Sequence, residues 1–231
     1  MSAAAGFHHV YVPAEAPGRP TLLLLHGTGA DEHDLLGLGR ALAPGAALLS
    51  PRGKVSENGL NRWFRRLREG VYDTEDVIAR SGELVGFVES AVAEYGLDPR
   101  GVVAAGFSNG ANIAAATLLL HPGALAGAAL FAAAAPLQDR EPPMADLSGT
   151  PVFLGAGRID PMTTIEEARL LTRQLRERGA DVTLQEHGGG HELPIPVLDA
   201  ARRWLAGSGL GGSAPAAPDG PAAEGTGRGT G

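Results

Sequence analysis

Three side chains of this 231-residue sequence, far apart along the chain, could together run acyl transfer: Ser108, Asp160 and His191. A serine hydroxyl is a weak nucleophile until a base takes its proton, and the base needs a carboxylate to hold its ring. Ser108 stands in Gly106-Phe107-Ser108-Asn109-Gly110, after an apolar run that begins at Val102. This is the sequence form of a nucleophile elbow, a sharp strand-to-helix turn that lifts a serine out of a sheet. Small residues flank it because the serine backbone is strained and neighbouring chain passes close by. With 34 glycines in the chain, the pattern is weak by itself.

The positions of an acid and a base further along the chain strengthen it. Asp160 comes just past the apolar run 151–156, in Gly157-Arg158-Ile159-Asp160-Pro161. His191 comes just past 181–187, in Gly188-Gly189-Gly190-His191-Glu192. Acid and base therefore both sit after strand ends, in the order serine, acid, histidine. Asp160 could instead cap a helix opening near Thr163, a role compatible with orienting a histidine. Its rivals are placed worse: Asp139 and Asp146 are in loop before a strand, and Asp181 starts one. His187 lies inside the last strand, before the glycines.

A developing oxyanion needs preorganised N–H donors. Asn109, directly after the nucleophile and at a helix N-terminus, supplies one; Thr28, in His26-Gly27-Thr28-Gly29 after an earlier strand, is expected to supply the second. The same loop could be read as a dinucleotide fingerprint, but Glu32 occupies the third glycine position and would repel a pyrophosphate. His187 and His191 have i, i+4 spacing, yet three glycines between them oppose a helix and no His-Glu-x-x-His is present. No metal site and no cofactor are expected.

The positioning elements follow from hydrophobic period. Thr21 to Leu25 is continuously apolar, as in a strand buried on both faces, and 46–50, 102–107, 127–131 and 151–156 repeat that character. Val10 to Val12 reads as a short strand and 181–187 as an edge-side strand. Helical spacing is expected over 31–42, from Asp73 or Thr74 to about Tyr95, over 109–120, from a Thr163/Glu166 capping box to Arg178, and over 194–205. Strands alternating with helices imply a mostly parallel sheet covered on both faces. From Pro51 to Tyr72 the period fails, and a long irregular excursion is usually functional. Trp63 and Phe64 there could wall an apolar site. Arg62, Arg65, Arg66 and Arg68 could hold a carboxylate or phenolate, or form a solvated face pairing with Glu57, Glu69 and Asp73.

Composition bounds the rest. With 44% hydrophobic residues the chain can bury one sizeable core, expected over 1–206, while the Gly/Ala/Pro-rich stretch 207–231 is expected to be disordered. A net charge of −7 gives no broad attraction to nucleic acid or anionic membrane, and no cysteine is present for disulfides or thiolate chemistry. The first residues lack a signal-peptide pattern and no apolar run approaches about twenty residues, so a cytoplasmic protein without membrane insertion is expected.

Taken together, the His26-Gly27-Thr28-Gly29 loop, the Gly106–Gly110 elbow, the Asp160 turn and Gly190-His191 resemble the phospholipase/carboxylesterase family, which includes acyl-protein thioesterases and neighbours the dienelactone hydrolases. Ser50-Pro51-Arg52-Gly53-Lys54-Val55, Arg62 to Arg66 and Phe107 to Ala114 look closer to a bacterial subgroup linked to hydroquinone and catechol resistance. The resemblance implies an α/β-hydrolase fold with little or no cap domain and hydrolysis of small carboxylic esters or thioesters without a cofactor. Asn109 stands where acyl-protein thioesterases carry Gln, Thr28 where they carry a bulky apolar residue, and Arg65 where they carry Asp, which argues against a long acyl tunnel. A thioesterase or lysophospholipase-like activity is the alternative among enzymes. Small-molecule capture without turnover is the alternative outside them, disfavoured by the intact residue set.

Overall fold

Four consecutive leucines set the layering of the molecule. Strand β2 (Thr21–Leu25) is buried at every position. Its alternate side chains enter two different cores, because successive strand residues point to opposite faces. Leu23 and Leu25 join Val77, Leu84, Ile113, Leu171 and others on one face, while Leu22 and Leu24 join Leu42, Phe153, Val197 and Leu205 on the other. The structure, a computed structural model, describes residues 6–68, 70–138 and 140–210. Glu69, Asp139 and all but the first four residues of the 207–231 stretch lie outside them.

Around β2 the sheet assembles from β1 (His9–Val12), β3 (Ala47–Pro51), β8 (Val102–Phe107), β9 (Gly127–Phe131), β10 (Pro151–Gly157) and β11 (Asp181–His187), in the order β1-β3-β2-β8-β9-β10-β11. Only β1 runs antiparallel, against β3. Helices α2 (Thr74–Tyr95), α3 (Asn109–Leu120) and α4 (Ile165–Glu177) supply the first core, and α1 (Leu36–Leu42) and α5 (Ile195–Gly207) the second. This is the α/β-hydrolase architecture. The parallel strands all deliver their C-terminal ends to one edge, where an open α/β sheet places its site.

The excursion expected as loop is instead two small hairpins, β4–β5 (Val55–Glu57, Leu60–Arg62) and β6–β7 (Arg66–Arg68, Val71–Tyr72). Both are too short for a buried period-2 face, which is why no period is visible. Helix α1 begins at Leu36 rather than Asp31: the Asp31 carboxylate accepts the His33 N–H at 2.9 Å, holding a turn that competes with helix. The capping box of α4 is Thr164/Glu167, one residue beyond the expected pair. Thr163 is buried, its hydroxyl donating to Ala132 O at 3.2 Å, so it is not available as a cap. Helix α5 runs to Gly207 and Leu210 packs against the second core, four residues beyond the expected boundary.

Thr164→Ala removes the Oγ1 that accepts the Glu167 N–H and leaves the backbone N–H of residue 164 donating to the Glu167 carboxylate. It should lower unfolding free energy by about 1 kcal/mol in urea titration, with Thr164→Ser restoring most of the loss.

Candidate active site

Strand β8 ends at Phe107, and Ser108 turns the chain into α3 with φ 52° and ψ −116°, on the left-handed side where a serine is strained. Two glycines make the turn possible. A Cβ on Gly110 would lie 1.9 Å from Leu25 O, and one on Gly106 would lie 2.7 Å from Ala111 N. The strand, the turn and the first helical residues are thus packed backbone against backbone. Ser108 N–H donates to Phe131 O at 2.8 Å, tying the elbow to β9.

Above the elbow, the loops after β10 and β11 bring the other two groups together. His191 Nδ1 lies 2.7 Å from Asp160 Oδ2, and its Nε2 lies 2.9 Å from Ser108 Oγ. With the carboxylate as acceptor, Nδ1 carries the proton and Nε2 is the base facing the serine hydroxyl. Asp160 does not cap α4, whose cap is Thr164; it closes the turn before it, its Oδ1 accepting the N–H groups of Met162 at 2.8 Å and Thr163 at 3.0 Å and leaving Oδ2 for the histidine. Its side chain is fully buried, so the carboxylate cannot swing away. Phe107 packs edge-on against the imidazole at 5.1 Å. This chain of bonds can move a proton from Ser108 to His191 and hold the imidazolium that results.

The loop of Thr28 follows β2 on the neighbouring strand. The backbone N–H groups of Thr28 and Asn109 have no acceptor among the described residues, leaving both as donors beside Ser108. The loop is held from three sides. Gly29 N–H donates to Asn61 O at 2.9 Å, and the Asn61 amide donates to Ala30 O at 2.9 Å. Arg62 donates to Thr28 Oγ1 at 3.1 Å. Buried His26 accepts the Gly53 N–H on Nε2 at 3.0 Å, so its proton is on Nδ1 against Gly27 O at 2.7 Å; burial pushes its pKa down and keeps this ring neutral. Arg52 grips Glu32 with two bonds of 2.5 and 2.6 Å, and this guanidinium holds the Glu32 carboxyl down at about 2.

The remaining residues singled out from sequence fall differently. Trp63 and Phe64 are buried at 2% and 0% exposure and enter the first core instead of walling the site. Trp63 is a brace: its N–H donates to the Asn109 side chain at 2.8 Å and its indole to His26 O at 2.9 Å. Arg65 turns away to Asp73 at 2.8 Å and is 62% exposed. Arg62 does face the site, and with it come Arg66, Tyr72, Asn112 and Thr163, which border a small cavity of about 50 Å³ at Ser108. Asn112 had a legible signal, standing one helical turn beyond Asn109 (i+3); Tyr72 and Thr163 had none, since their place depends on the hairpins and on the Asp160 loop. Glu69, a possible partner for the arginines from sequence, lies outside the described residues. Among those residues no group of three His, Asp or Glu side chains could hold a metal ion, and no helix is long and apolar enough to cross a membrane.

An elbow serine, a histidine–carboxylate pair after later strands, and two backbone donors on an α/β sheet define the hydrolase class that bears this fold. The chain belongs to the phospholipase/carboxylesterase family, whose model matches residues 8–207. It is 44% identical over 196 residues to MhqD of Bacillus subtilis strain 168, described as a hydrolase, covering 85% of this chain and 96% of that protein. The crystal structure of a Bacillus cereus carboxylesterase is similar at 42% identity and TM-score 0.84, over 88% of this chain and 95% of that one. The structure of YahD with malic acid is similar at 30% identity and TM-score 0.77, over 85% and 98%. These likenesses make the chain a hydrolase of that family.

The Glu32–Arg52 grip predicts a pH signature. A carboxyl lowered from 4.5 to about 2 adds stability that is complete above pH 4.5 and lost as pH falls through 2. The stability gap between wild type and Glu32→Gln should be widest above pH 4.5 and close toward pH 2, as read from urea midpoints across that range.

Proposed function

We propose that this chain hydrolyses small carboxylic esters through an acyl-enzyme on Ser108. His191 Nε2 takes the hydroxyl proton as Oγ attacks the ester carbonyl, and Asp160 stabilises the imidazolium. The oxyanion forms against the N–H groups of Thr28 and Asn109, the latter at the positive end of α3. Collapse expels the alcohol, which receives the proton from His191. Water then enters, His191 takes its proton, and a second tetrahedral species releases the acid and restores Ser108.

The observation that carries this reading is the unbroken 2.7 and 2.9 Å sequence Asp160–His191–Ser108, set on a serine held in a strained turn. A structural serine has no need of such a turn. The carboxylesterase of Bacillus cereus gives the reaction type its support from a relative. Small size is supported by the cavity of about 50 Å³ and by the absence, among the described residues, of any cap larger than two short hairpins. The malic acid in the YahD structure, a small acid and not a lipid, agrees with it.

Ser108→Ala and His191→Ala should each lower kcat on p-nitrophenyl acetate by about three to six orders of magnitude, with unchanged circular dichroism and urea midpoint. The double variant should be little worse than either single one, since the pair acts as a unit. Near-normal turnover in Ser108→Ala would refute the mechanism.

A further inference from the structure

The small cavity at Ser108 lies to one side of the nucleophile. Thr28, Tyr72, Asn109, Asn112 and Thr163 border it together with Ser108, while His191 is not among its described lining residues. That asymmetry sorts the two halves of an ester. The leaving alcohol must take its proton from His191 Nε2, which stands 2.9 Å from Ser108 Oγ, so the alcohol part departs on the His191 side. The acyl part then points the other way, into the cavity.

One aromatic side chain decides how far it can go. Asn112 stands one turn of α3 beyond Ser108, its N–H donating to Ser108 O at 2.9 Å. The orientation of its buried amide is fixed from both ends: Oδ1 accepts the Ala134 N–H at 2.8 Å, and Nδ2 donates to the Tyr72 hydroxyl oxygen at 3.0 Å. The hydroxyl end of Tyr72 is thereby tied to the helix that carries the nucleophile. Its ring meets fully buried Phe64 edge-on at 5.1 Å, so it cannot recede into the core. Its backbone is held as well. The Tyr72 N–H donates to Gln138 Oε1 at 2.8 Å and Gln138 Nε2 donates to Gly70 O at 2.7 Å, so one side chain clips the end of the β6–β7 hairpin to the loop after β9. Tyr72 is a wall fixed at its hydroxyl, its ring and its backbone.

We propose that this cavity is the acyl pocket and that Tyr72 closes it, restricting the acyl part to a few carbon atoms and setting no such limit on the alcohol. The inference rests on the reading of Ser108 as nucleophile. It adds the substrate class, short-chain acyl esters of alcohols of any length, and the specificity-determining residue. A cavity of about 50 Å³ holds only a few heavy atoms. A longer acyl chain has to displace Tyr72 and break its bond to Asn112 before the carbonyl reaches Ser108, a cost that persists in the transition state and lowers kcat/KM. An alcohol chain of the same length, leaving on the His191 side, does not meet Tyr72.

Two ester series separate the two halves of the substrate. The acyl part lengthens through p-nitrophenyl acetate, butyrate and hexanoate; the alcohol part lengthens through methyl, butyl and hexyl acetate. In wild type, kcat/KM should fall by at least about tenfold from acetate to hexanoate and should not fall along the alcohol series. Tyr72→Ala should raise the hexanoate-to-acetate ratio by at least about tenfold, whereas Tyr72→Phe, which keeps the ring, should preserve the wild-type order. Gln138→Ala unclips the hairpin from a half-buried position and should raise the same ratio, which keeps the test valid if Tyr72→Ala fails to fold. A flat or rising acyl series in wild type, an equal fall along the alcohol series, or a ratio unmoved in every one of the two alanine variants that folds overturns the proposal. Labelling by a fluorophosphonate probe tells the two readings apart. Wild type that never labels at Ser108 sinks the nucleophile assignment itself. Labelling at Ser108 together with a flat acyl series sinks only the acyl pocket.

Discussion

The structure depends on one close approach: the first turn of α3 lies against the C-terminal end of β2, with no room for a side chain on Gly110. That contact is what lets Ser108 keep a backbone conformation costing on the order of 1–3 kcal/mol. A sheet buried on both faces by two separate cores supplies the rigidity that over-determines the turn. The strain has a use. It holds the hydroxyl above the strand ends, where His191 can reach it, and it puts the Asn109 N–H beside it without further movement.

The second constraint is the loop opposite the elbow. A backbone donor is useful only if it does not have to reorganise during reaction. The loop of Thr28 is therefore held by the hairpin β4–β5 through Asn61 and Arg62, by neutral His26 against Gly53, and by Trp63 beneath. The excursion between β3 and α2 is a brace first and a pocket wall second. Asn109 joins the two halves, because its backbone faces Ser108 while its side-chain oxygen accepts the Trp63 N–H. An Asn fits here at the 2.8 Å observed; a longer side chain would need a different position for the Trp63 backbone.

Much of this was legible in the sequence. Continuous apolar runs marked the central strands, and the position of Asp160 and His191 after strand ends marked the hydrogen-bonded set, because both signals are local. The aromatic pair 63–64 was misleading for a physical reason: large apolar side chains suit a pocket wall and a core equally, and only the hairpin register decides that both point inward. The arginine cluster splits for the same reason. Arg62 and Arg66 turn toward Ser108 and Arg65 turns out to Asp73, a sorting made by two three-residue strands too short to leave a period. The late start of α1 and the one-residue shift of the α4 cap reflect side-chain competition that spacing does not reveal.

If Ser108 carries the acyl group between the two half-reactions, the group can be trapped there. Wild-type protein mixed rapidly with a slowly deacylating p-nitrophenyl ester, quenched in acid within the burst and digested, should yield one acyl group per chain. Mass spectrometry should place it on the peptide bearing Ser108. A burst of p-nitrophenol with the acyl group on any other residue, or steady turnover with no acylated peptide and no burst, would contradict that role for Ser108.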